Sequence, residues 1–403
     1  MLRTILHCDC NSFFASVEAL DNSELKNIPM AVGGSEESRK GIILAKNEQA
    51  KKYGIVTAET IWSARKKCPQ LVVVPPRHER YLQVSKAVNE IYREYTEFVE
   101  SFGIDESWLD VTNVKELFGD GVTIANQLRK RISTEIGITI SVGVSFTKSF
   151  AKLGSDYKKP DATTVITPEN LERIVYPQRL NNLLFAGRKI CDEFKRFGIV
   201  TIGDLAKTDR SFIESHFGKN GSLLHDYASG NDKDEVKSIY EKDEVKSVGN
   251  SYTFPHDLVG EEEIRHALVW LADEVSSRMR HINVKCNVVG IVIKDENFKT
   301  ITRQVTISTP TSHAGDLLFH AMELVRKNWN MSQGIRMIGI SGTNLVSDGE
   351  EQMSLFDIGT NKKNDKLDAA IDSVRAKFGK NAVKFASSDD YHTKYAEMSD
   401  EDN

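Results

Sequence analysis

Two short acidic segments constrain this chain more than any other feature. The first is His7-Cys8-Asp9-Cys10-Asn11-Ser12-Phe13-Phe14 and the second is Gly103-Ile104-Asp105-Glu106-Ser107. Each places carboxylates at the end of an apolar segment, where folding would otherwise move charge out to solvent. Three carboxylates around one point suit a hard divalent cation such as Mg²⁺, which prefers oxygen ligands. The sequence therefore predicts a metal site formed by Asp9, Asp105 and Glu106.

Length and composition favour a multidomain protein. The 403 residues are 40% hydrophobic and 28% charged, and roughly 100 to 200 residues per domain gives two to four domains. The sequence has neither an apolar run of about 18 residues nor a signal-peptide apolar region. Its five scattered cysteines are typical of a reducing compartment. We therefore expect a cytoplasmic protein that does not enter a membrane.

The net charge of −5 is located at one end of the chain. From Ser387 onward there are six acidic residues and one lysine, so the preceding residues are neutral overall. A neutral body can still bind a polyanion if its basic residues are clustered. The charge therefore neither supports nor excludes a nucleic-acid partner.

Hydrophobic periodicity predicts alternating strands and helices around the acidic segments. Residues 3–9 and 138–146 resemble buried strands, and 119–135 has helical spacing. A sheet backed by helices would bring Asp9 and Asp105 close enough to share a metal. Turn signals between 19 and 78 indicate a small inserted subdomain.

The second half of the chain divides into a helical part and a second mixed part. Past Pro168, short amphipathic runs broken by glycines are typical of helix–hairpin–helix units. Residues 231–247 are highly charged and repeat Lys-Asp-Glu-Val-Lys-Ser; we interpret them as an extended linker, because two copies cannot build a solenoid. Strands near 248–253, 287–295, 300–307 and 335–345 and helices near 261–281 and 313–328 follow in the order β-α-β-β-α-β. This order predicts a four-stranded sheet with helices on one face and an open face for an extended partner.

Five motifs in register resemble those of Y-family translesion DNA polymerases of the DinB and UmuC kind. They are Asp9-Cys10-Asn11-Ser12-Phe13-Phe14-Ala15-Ser16-Val17-Glu18, Asp105-Glu106-Ser107-Trp108-Leu109-Asp110, Lys158-Lys159-Pro160, Lys246-Ser247-Val248-Gly249 and Gln352-Met353-Ser354-Leu355-Phe356. The resemblance covers nearly the whole chain. It implies an α+β right-hand polymerase with a ferredoxin-like palm, small fingers, a helical thumb with helix–hairpin–helix units and a β-α-β-β-α-β little finger.

The resemblance also implies domain boundaries. The palm would comprise 1–18 and 79–166, the fingers 19–78, the thumb 167–232, a linker 233–246, the little finger 247–349 and an acidic tail 350–403. The tail is polar and should be largely disordered apart from a short helix near 364–378.

The activity implied is that of a low-fidelity DNA-directed DNA polymerase, which adds deoxynucleoside triphosphates (dNTPs) to a primer 3′-hydroxyl past damaged template bases. Asp9, Asp105 and Glu106 would be catalytic and, with the backbone carbonyl of Cys10, would hold two Mg²⁺ ions. One ion would lower the pKa of the primer hydroxyl and the other would bind the triphosphate. Such phosphoryl transfer depends on positioning and charge neutralisation, so it needs no nucleophilic side chain.

For the nucleotide, the resemblance implies roles for Phe13, Phe14, Lys51 and Lys159. Phe14 would be the steric gate beneath the sugar, whereas the Phe13 ring should point the opposite way, into the core, if the segment is extended. Lys51 and Lys159 would contact the triphosphate. Glu48 and Lys51 stand where many members have Tyr and Arg, so a hydroxyl and a bidentate fork are lost. Asn11 likewise replaces an Asp, and Gly103 a Ser.

Further contacts are implied with DNA and with a bacterial sliding clamp, for a protein that is a monomer. Backbone N–H groups near Gly187 and Gly218, with Lys189 and Lys219, would bind duplex phosphates. Basic residues would hold the template backbone: Arg278, Arg280, Lys285, Lys294, Lys299 and Arg303. Gln352, Leu355 and Phe356 would insert into the clamp.

Other interpretations stay open at this point. A metal-dependent nuclease also uses clustered carboxylates, but it needs neither a steric-gate aromatic nor the Lys51 and Lys159 pair. A non-catalytic module that binds the clamp and DNA is the other alternative. Cys8 and Cys10 could indicate zinc, but a four-ligand site needs a second Cys or His pair, and none lies nearby in the sequence.

Overall fold

The computed structural model describes residues 2–35, 41–241, 244–347, 361–379 and 382–383. The chain divides into two units, Met1–Gly33 with Ile43–Lys242 and Gly34–Ile42 with Asp243–Asn403. Within the described residues, no helix is both long enough and apolar enough to span a membrane. The predicted clamp motif at 352–356 lies outside the described residues.

A five-stranded sheet in the first unit carries the acidic segments. In spatial order its strands are β5 (Val99–Ser101), β6 (Glu106–Asp110), β1 (Ile5–Cys10), β7 (Ile140–Ser145) and β8 (Thr163–Val165). β1 is antiparallel to both β6 and β7, and β7 is parallel to β8. β1 and β7 are buried along their whole length, because helices cover both faces of the sheet. The strands predicted at 3–9 and 138–146 are therefore confirmed.

Helices on the two faces of this sheet have different roles. On one face, α4 (His78–Arg93) and α6 (Gly121–Arg131), which continues as a π-helical turn at Ile132–Ile136, pack around Leu6 and Leu109. On the other face α7 (Lys148–Tyr157) lies so close that a Cβ on Gly143 would be 1.9 Å from the Ala151 carbonyl oxygen. The short α5 (Lys115–Phe118) precedes α6, and α1 (Phe13–Asp21) follows β1. Only glycine at position 143 lets α7 approach this strand.

The predicted inserted subdomain has its own small sheet and core. The strands are ordered β3 (Ile43–Lys46), β2 (Met30–Gly33) and β4 (Val72–Val74), and the helices are α2 (Glu48–Lys51) and α3 (Ile61–Lys67). Ile43, Ala50 and Ile61 are buried together in this core. The insertion is therefore an independently packed layer.

A third core in the first unit is mainly helical and also includes Phe150 of α7 and Ile166 after β8. It joins α8 (Leu171–Ile174), α9 (Arg188–Arg196), α10 (Ile202–Lys207) and α11 (Arg210–Ala228). Gly218 interrupts α11 with φ 60° and ψ −156°. α11 therefore consists of two helical segments on either side of Gly218, and the second predicted hairpin lies between them.

The segment that we interpreted as an extended linker is held against the first unit over its first half. The Ser149 amide donates to Asp232 at 2.9 Å, and the Lys237 amide donates to Glu100 at 3.0 Å. Val236 between them is buried. Buried apolar contact and paired backbone groups fix residues 232–237, which polarity alone did not predict.

The second unit has the predicted order β-α-β-β-α-β. Its elements are β9 (Ser247–Leu258), α12 (Glu261–His281), β10 (Val284–Asp295), β11 (Thr300–Thr311), α13 (Ala314–Asn328) and β12 (Ile335–Ser347). The sheet is antiparallel in the order β11-β10-β12-β9, with α12 and α13 packed on one face. The helix predicted near 364–378 is present as α14 (Asn361–Phe378).

Candidate active site

The register of β1 and β6 brings two of the predicted carboxylates together. Asp9 and Glu106 are paired across these antiparallel strands, so their side chains leave the sheet on the same face. Lys152 of α7 lies between them, with its Nζ 3.3 Å from Asp9 Oδ2 and 2.8 Å from Glu106 Oε1. Because one ammonium reaches both oxygens, one divalent cation could do the same. The Asp9 and Glu106 pair therefore fits a hard, oxygen-bound metal.

Asp105 lies at the start of β6, beside this pair. Its carbonyl accepts the Cys10 amide at 3.0 Å, which joins the ends of the two strands. Burial raises the pKa of Asp105, and the charge of Glu106 adds to the effect. However, no three His, Cys, Asp or Glu side chains of the described chain are arranged as a metal site. In the described chain Asp9 and Glu106 converge on one cation, and the part of Asp105 in the expected three-carboxylate site stays a prediction.

Lysine ammonium groups neutralise the buried carboxylates. Lys159 Nζ lies 2.6 Å from Asp9 Oδ2 and 2.8 Å from Asp156 Oδ1. Burial raises the pKa of Asp9 to about 6, although both Lys159 and Lys152 act to lower it. Burial also acts to raise the pKa of Glu106, but contacts with His7 and Lys152 outweigh it and lower that pKa. The cluster is therefore a set of buried acids that depends on nearby positive charge.

Sequence reasoning missed three residues of this cluster. Lys152 and Asp156 are one helical turn apart on α7, and their atoms Nζ and Oδ2 are 3.3 Å apart. His7 precedes Asp9 by two residues on β1, and its Nε2 lies 3.4 Å from Glu106 Oε2. Strand alternation would have placed His7 on the face of Asp9. No local signal indicated that α7 crosses that face.

Phe13 and Phe14 begin a helix, so the premise that they are extended is wrong. Phe13 is 3% exposed and packs in the core, which leaves its side chain almost no surface for the predicted nucleotide contact. Phe14 is half-buried, and its ring stacks on that of Tyr81 with centroids 4.1 Å apart. The two rings still diverge, because successive helical residues point about 100° apart.

Glu48 and Lys51 form a local ion pair. These are two of the positions at which this chain differs from many members of the family it resembles. Lys51 Nζ lies 2.5 Å from Glu48 Oε1, and the Ser12 hydroxyl donates to the same oxygen at 3.1 Å. Asn11 is engaged elsewhere, since its Oδ1 accepts the Ser141 hydroxyl at 2.8 Å. Lys51 therefore lies next to the end of β1, and its triphosphate contact stays a prediction.

The hairpin residues predicted to contact DNA are exposed. Gly187 is the N-cap of α9, and Lys189 lies in its first turn. Gly218 and Lys219 are exposed where α11 restarts. Backbone N–H groups at such helix starts attract phosphate.

Two of the basic residues predicted to hold the template are engaged within the second unit. Arg280 Nε lies 2.6 Å from Asp372 Oδ2 of α14, and Arg280 also pairs with Asp368. These carboxylates reach Arg280 because α14 folds back on α12, and the DNA contact of Arg280 stays a prediction. Arg303 is paired with Ile291, whose side chain lies under the helices. Its side chain leaves the sheet on that covered side and donates to Asn328 of α13.

Arg278 and Lys285 lie on the helix and on a central strand of the second unit, where we expected them. Arg278 is exposed on α12 and donates to the Gly249 carbonyl at 3.0 Å, whereas Lys285 is half-buried near the start of β10. The open face itself carries a groove of about 790 Å³. Small and polar residues line it, including Gly249, Ser251, Gly290, Gln304 and Ser341.

Comparison with known proteins agrees with this architecture. The chain matches the impB/mucB/samB family over residues 8–156 and the C-terminal domain of that family over residues 245–355. It is 45% identical to the DNA polymerase IV of Acetivibrio thermocellus over 386 residues, which are 95% of this chain and 97% of that protein. It is 36% identical to the DNA polymerase IV of Clostridium kluyveri over 96% of this chain and 98% of that protein.

A solved structure agrees at the level of the fold. A chimeric Y-family DNA polymerase built from Dbh and Dpo4 matches 85% of this chain and 99% of its own, with a TM-score of 0.75 and 23% identity. The fold is thus that of the Y-family DNA polymerases. The chain belongs to the impB/mucB/samB family, in which relatives named DNA polymerase IV match it over almost its entire length.

Proposed function

We propose that this chain, a DNA-directed DNA polymerase of the translesion type, extends primers past damaged template bases at the Asp9 and Glu106 site. The observation that carries the proposal is the convergence of these two carboxylates on one cation, at the joined ends of β1 and β6. The family match over residues 8–156 includes Asp9, Asp105 and Glu106, and relatives named DNA polymerase IV cover 95% of the chain. DNA and dNTPs are therefore its substrates.

Proteins of this family depend on a metal, and we propose two Mg²⁺ ions here. Asp9, Asp105 and Glu106 would hold them with the Cys10 carbonyl. Bound Mg²⁺ would lower the pKa of the primer hydroxyl and stabilise charge on the triphosphate. The Lys159 side chain is 30% exposed, and its ammonium would leave Asp9 and bind a phosphate oxygen. Lys152 would continue to hold Glu106 in place.

Phe14 is our candidate for the residue that excludes ribonucleotides. Tyr81 supports its ring from below, and the Tyr81 hydroxyl donates to Glu18 at 2.6 Å. Arg77 in turn binds both oxygens of Glu18 at 3.0 Å. These contacts hold the Phe14 ring in one position. A steric gate requires such a fixed ring.

Lys51 is our candidate for a second triphosphate contact. Its ammonium is shared with Glu48, so a triphosphate would have to compete with that carboxylate. A triphosphate carries more negative charge than one carboxylate. The Lys51 ammonium would therefore favour the triphosphate over Glu48.

The proposal gives a role to each of the domains that the motifs imply. The palm (1–18 and 79–166) would hold the metals, and the fingers (19–78) would cover the nucleotide. The thumb (167–232) and the little finger (247–349) would hold the duplex through the exposed helix starts and the open sheet face. The linker at 233–246, the clamp contact in the 350–403 tail, the monomeric state and the cytoplasmic location stay predictions.

Primer extension by the full chain tests the proposal. Wild-type protein with dNTPs and Mg²⁺ should lengthen a labelled primer, and Asp105→Ala should abolish extension while keeping the melting temperature. Glu116→Ala, which changes an exposed carboxylate on α5, serves as the matched control and should extend normally. Degradation without extension would favour the nuclease, and equal extension by Asp105→Ala would refute the assigned site.

A further inference from the structure

A histidine that the proposed mechanism does not use lies beneath Glu106. His7 has no exposed surface, and its ring packs edge-on against Trp108 with centroids 5.1 Å apart. Its Nδ1 is 2.8 Å from the Ser155 hydroxyl of α7, and its Nε2 is 3.4 Å from Glu106 Oε2. The ring therefore connects α7 to the carboxylate that we assign to the metal.

The two facing atoms have only each other. Among the described residues, neither His7 Nε2 nor Glu106 Oε2 forms a hydrogen bond, both are buried, and 3.4 Å separates them. The second oxygen of Glu106, Oε1, accepts Lys152 at 2.8 Å. A buried polar atom left unpaired is costly. Pairing these two atoms would satisfy both.

The neutral imidazole carries one proton, on either Nδ1 or Nε2. The two tautomers leave different groups without a hydrogen-bond partner. With the proton on Nδ1, the ring donates to Ser155, but two lone pairs then face each other at Nε2 and Glu106 Oε2. With the proton on Nε2, the ring donates to Glu106 and accepts the Ser155 hydroxyl at Nδ1. The Ser155 hydroxyl then leaves the Lys152 carbonyl, which still accepts a backbone bond within α7. Only the second tautomer places a donor opposite Glu106 Oε2.

We propose that His7, protonated on Nε2, donates to Glu106 Oε2 and is a positioning residue that holds this carboxylate in the orientation that binds the metal. The inference rests on the proposed function, since it assigns Glu106 to the metal. Residues that hydrogen-bond a metal ligand fix its orientation, and their loss typically weakens metal binding or activity by about ten- to a hundredfold. Lys152 and His7 together would hold both oxygens of Glu106 before the metal arrives.

The first test is direct observation of the tautomer. NMR of the full chain with ¹⁵N-labelled histidine should show His7 with its proton on Nε2, identified by the loss of that signal in His7→Gln. A proton on Nδ1 would overturn the proposal. This measurement does not depend on catalysis.

The second test compares His7→Leu with His7→Gln, whose side-chain amide can still donate. Mn²⁺ binding to the full chain, followed by electron paramagnetic resonance without DNA, should weaken about ten- to a hundredfold in His7→Leu. His7→Gln should recover most of the loss. In primer extension, His7→Leu should lower kcat with little change in the dNTP KM at saturating metal. Wild-type Mn²⁺ binding in His7→Leu, or no recovery in His7→Gln, would contradict the proposal.

A matched control separates positioning from packing. His225→Leu removes another buried histidine, which bonds the Thr208 carbonyl at 3.0 Å in the helical part. It should lower the melting temperature without changing Mn²⁺ affinity. If His7→Leu does not fold, His7→Gln is the test by itself. A Mn²⁺ affinity below that of wild type in His7→Gln would then refute the inference. Failure of wild-type extension together with His7-dependent Mn²⁺ binding would instead refute only the polymerase assignment.

Discussion

Each buried charge of the site has an opposite charge beside it. The Lys152 side chain is 15% exposed and that of Asp9 is 5% exposed, and Glu106 completes the group at 20%. Taking such charges out of water is costly, so the cluster is stable only while its partners remain. A cation that enters this site can therefore take over the role of an ammonium group.

Lys152→Met should expose this dependence. Removing one partner of a buried ion pair typically costs about 3–5 kcal/mol, and we expect about 2–3 kcal/mol here because the group is partly exposed. Added Mg²⁺ should restore more stability to this variant than to wild type, because it replaces the missing positive charge. Thermal unfolding with and without Mg²⁺ measures both effects.

Lys148→Met is the matched control, because Lys148 pairs with Glu100 at 2.7 Å in the same unit. It should lose stability that Mg²⁺ does not restore. Equal rescue of the two variants would show that Mg²⁺ stabilises the chain elsewhere.

Phe14→Ala should weaken discrimination against ribonucleotides. Removing the ring leaves room above Tyr81 for a 2′-hydroxyl, so kcat/KM for the ribonucleotide should rise at least tenfold relative to that for the deoxynucleotide, which corresponds to about 1.4 kcal/mol. Single-nucleotide extension with matched dNTP and rNTP measures the ratio. Phe102→Ala, which removes a 44% exposed ring, should leave the ratio unchanged. Unaltered selectivity in Phe14→Ala would remove the gate assignment.

At the scale of elements, the approach of α7 to β7 decides the chemistry of the palm. Because Gly143 has no Cβ, α7 lies against the strand and brings Lys152 and Ser155 to Glu106 and His7. In the second unit α14 is attached differently, through charge. Arg375 Nη2 lies 2.8 Å from Asp273 Oδ2, and His313 Nδ1 lies 2.8 Å from Asp368 Oδ2.

The attachment of α14 should depend on pH. The hydrogen bond to Asp368 raises the pKa of His313, against burial and the charge of Arg280, and Asp316 adds to the increase. A raised histidine pKa means that the stabilisation is fully present below about pH 6.5 and is lost as the pH rises through the folded-state value. Hydrogen exchange in 361–378 should therefore be faster at pH 8.5 than at pH 6, after correction for intrinsic rates.

His313→Asn provides the control for this pH effect. The variant cannot gain a charge, so its corrected exchange in α14 should be the same at both pH values. A wild-type profile without pH dependence would show that the Arg280 and Arg375 pairs alone hold the helix.

At the scale of the whole molecule, we propose that different parts of the chain carry catalysis and recruitment to the sliding clamp. The proposed catalytic site lies in the first unit, whereas the predicted clamp motif at 352–356 follows β12 in the sequence. Changing Gln352, Leu355 and Phe356 together to Ala should abolish binding to the bacterial sliding clamp, because the anchors for its apolar pocket are removed. Extension of naked primer–template without clamp should remain at the wild-type rate. Surface plasmon resonance with immobilised clamp and a parallel extension assay measure the two properties.

Two outcomes of that experiment would contradict the separation. Clamp binding that survives the triple substitution would place the contact elsewhere. Slower extension on naked DNA would show that the motif serves the polymerase itself. Leu2→Ala, a change at a 62% exposed apolar residue, controls for the loss of a surface side chain.

The order of elements and the principal acids follow from the sequence by itself. Periodicity determined the β-α-β-β-α-β order of the second unit, and charge at the end of apolar segments identified Asp9, Asp105 and Glu106. These are local signals, because alternation and capping act between residues close in the chain. They did not locate Lys152, which lies outside the acidic segments, and alternation would place His7 on the face of Asp9 without showing that it lies against Glu106.

The tertiary structure alone decided which side chains meet. Lys152 contacts Asp9 from 143 positions away in the sequence, because α7 crosses the sheet at Gly143. Arg280 carries the positive charge that a DNA contact needs. However, α14 packs against α12, so Arg280 forms an ion pair with Asp372. Contacts between residues far apart in the chain depend on how elements pack, and packing is a property of the whole fold rather than of any segment.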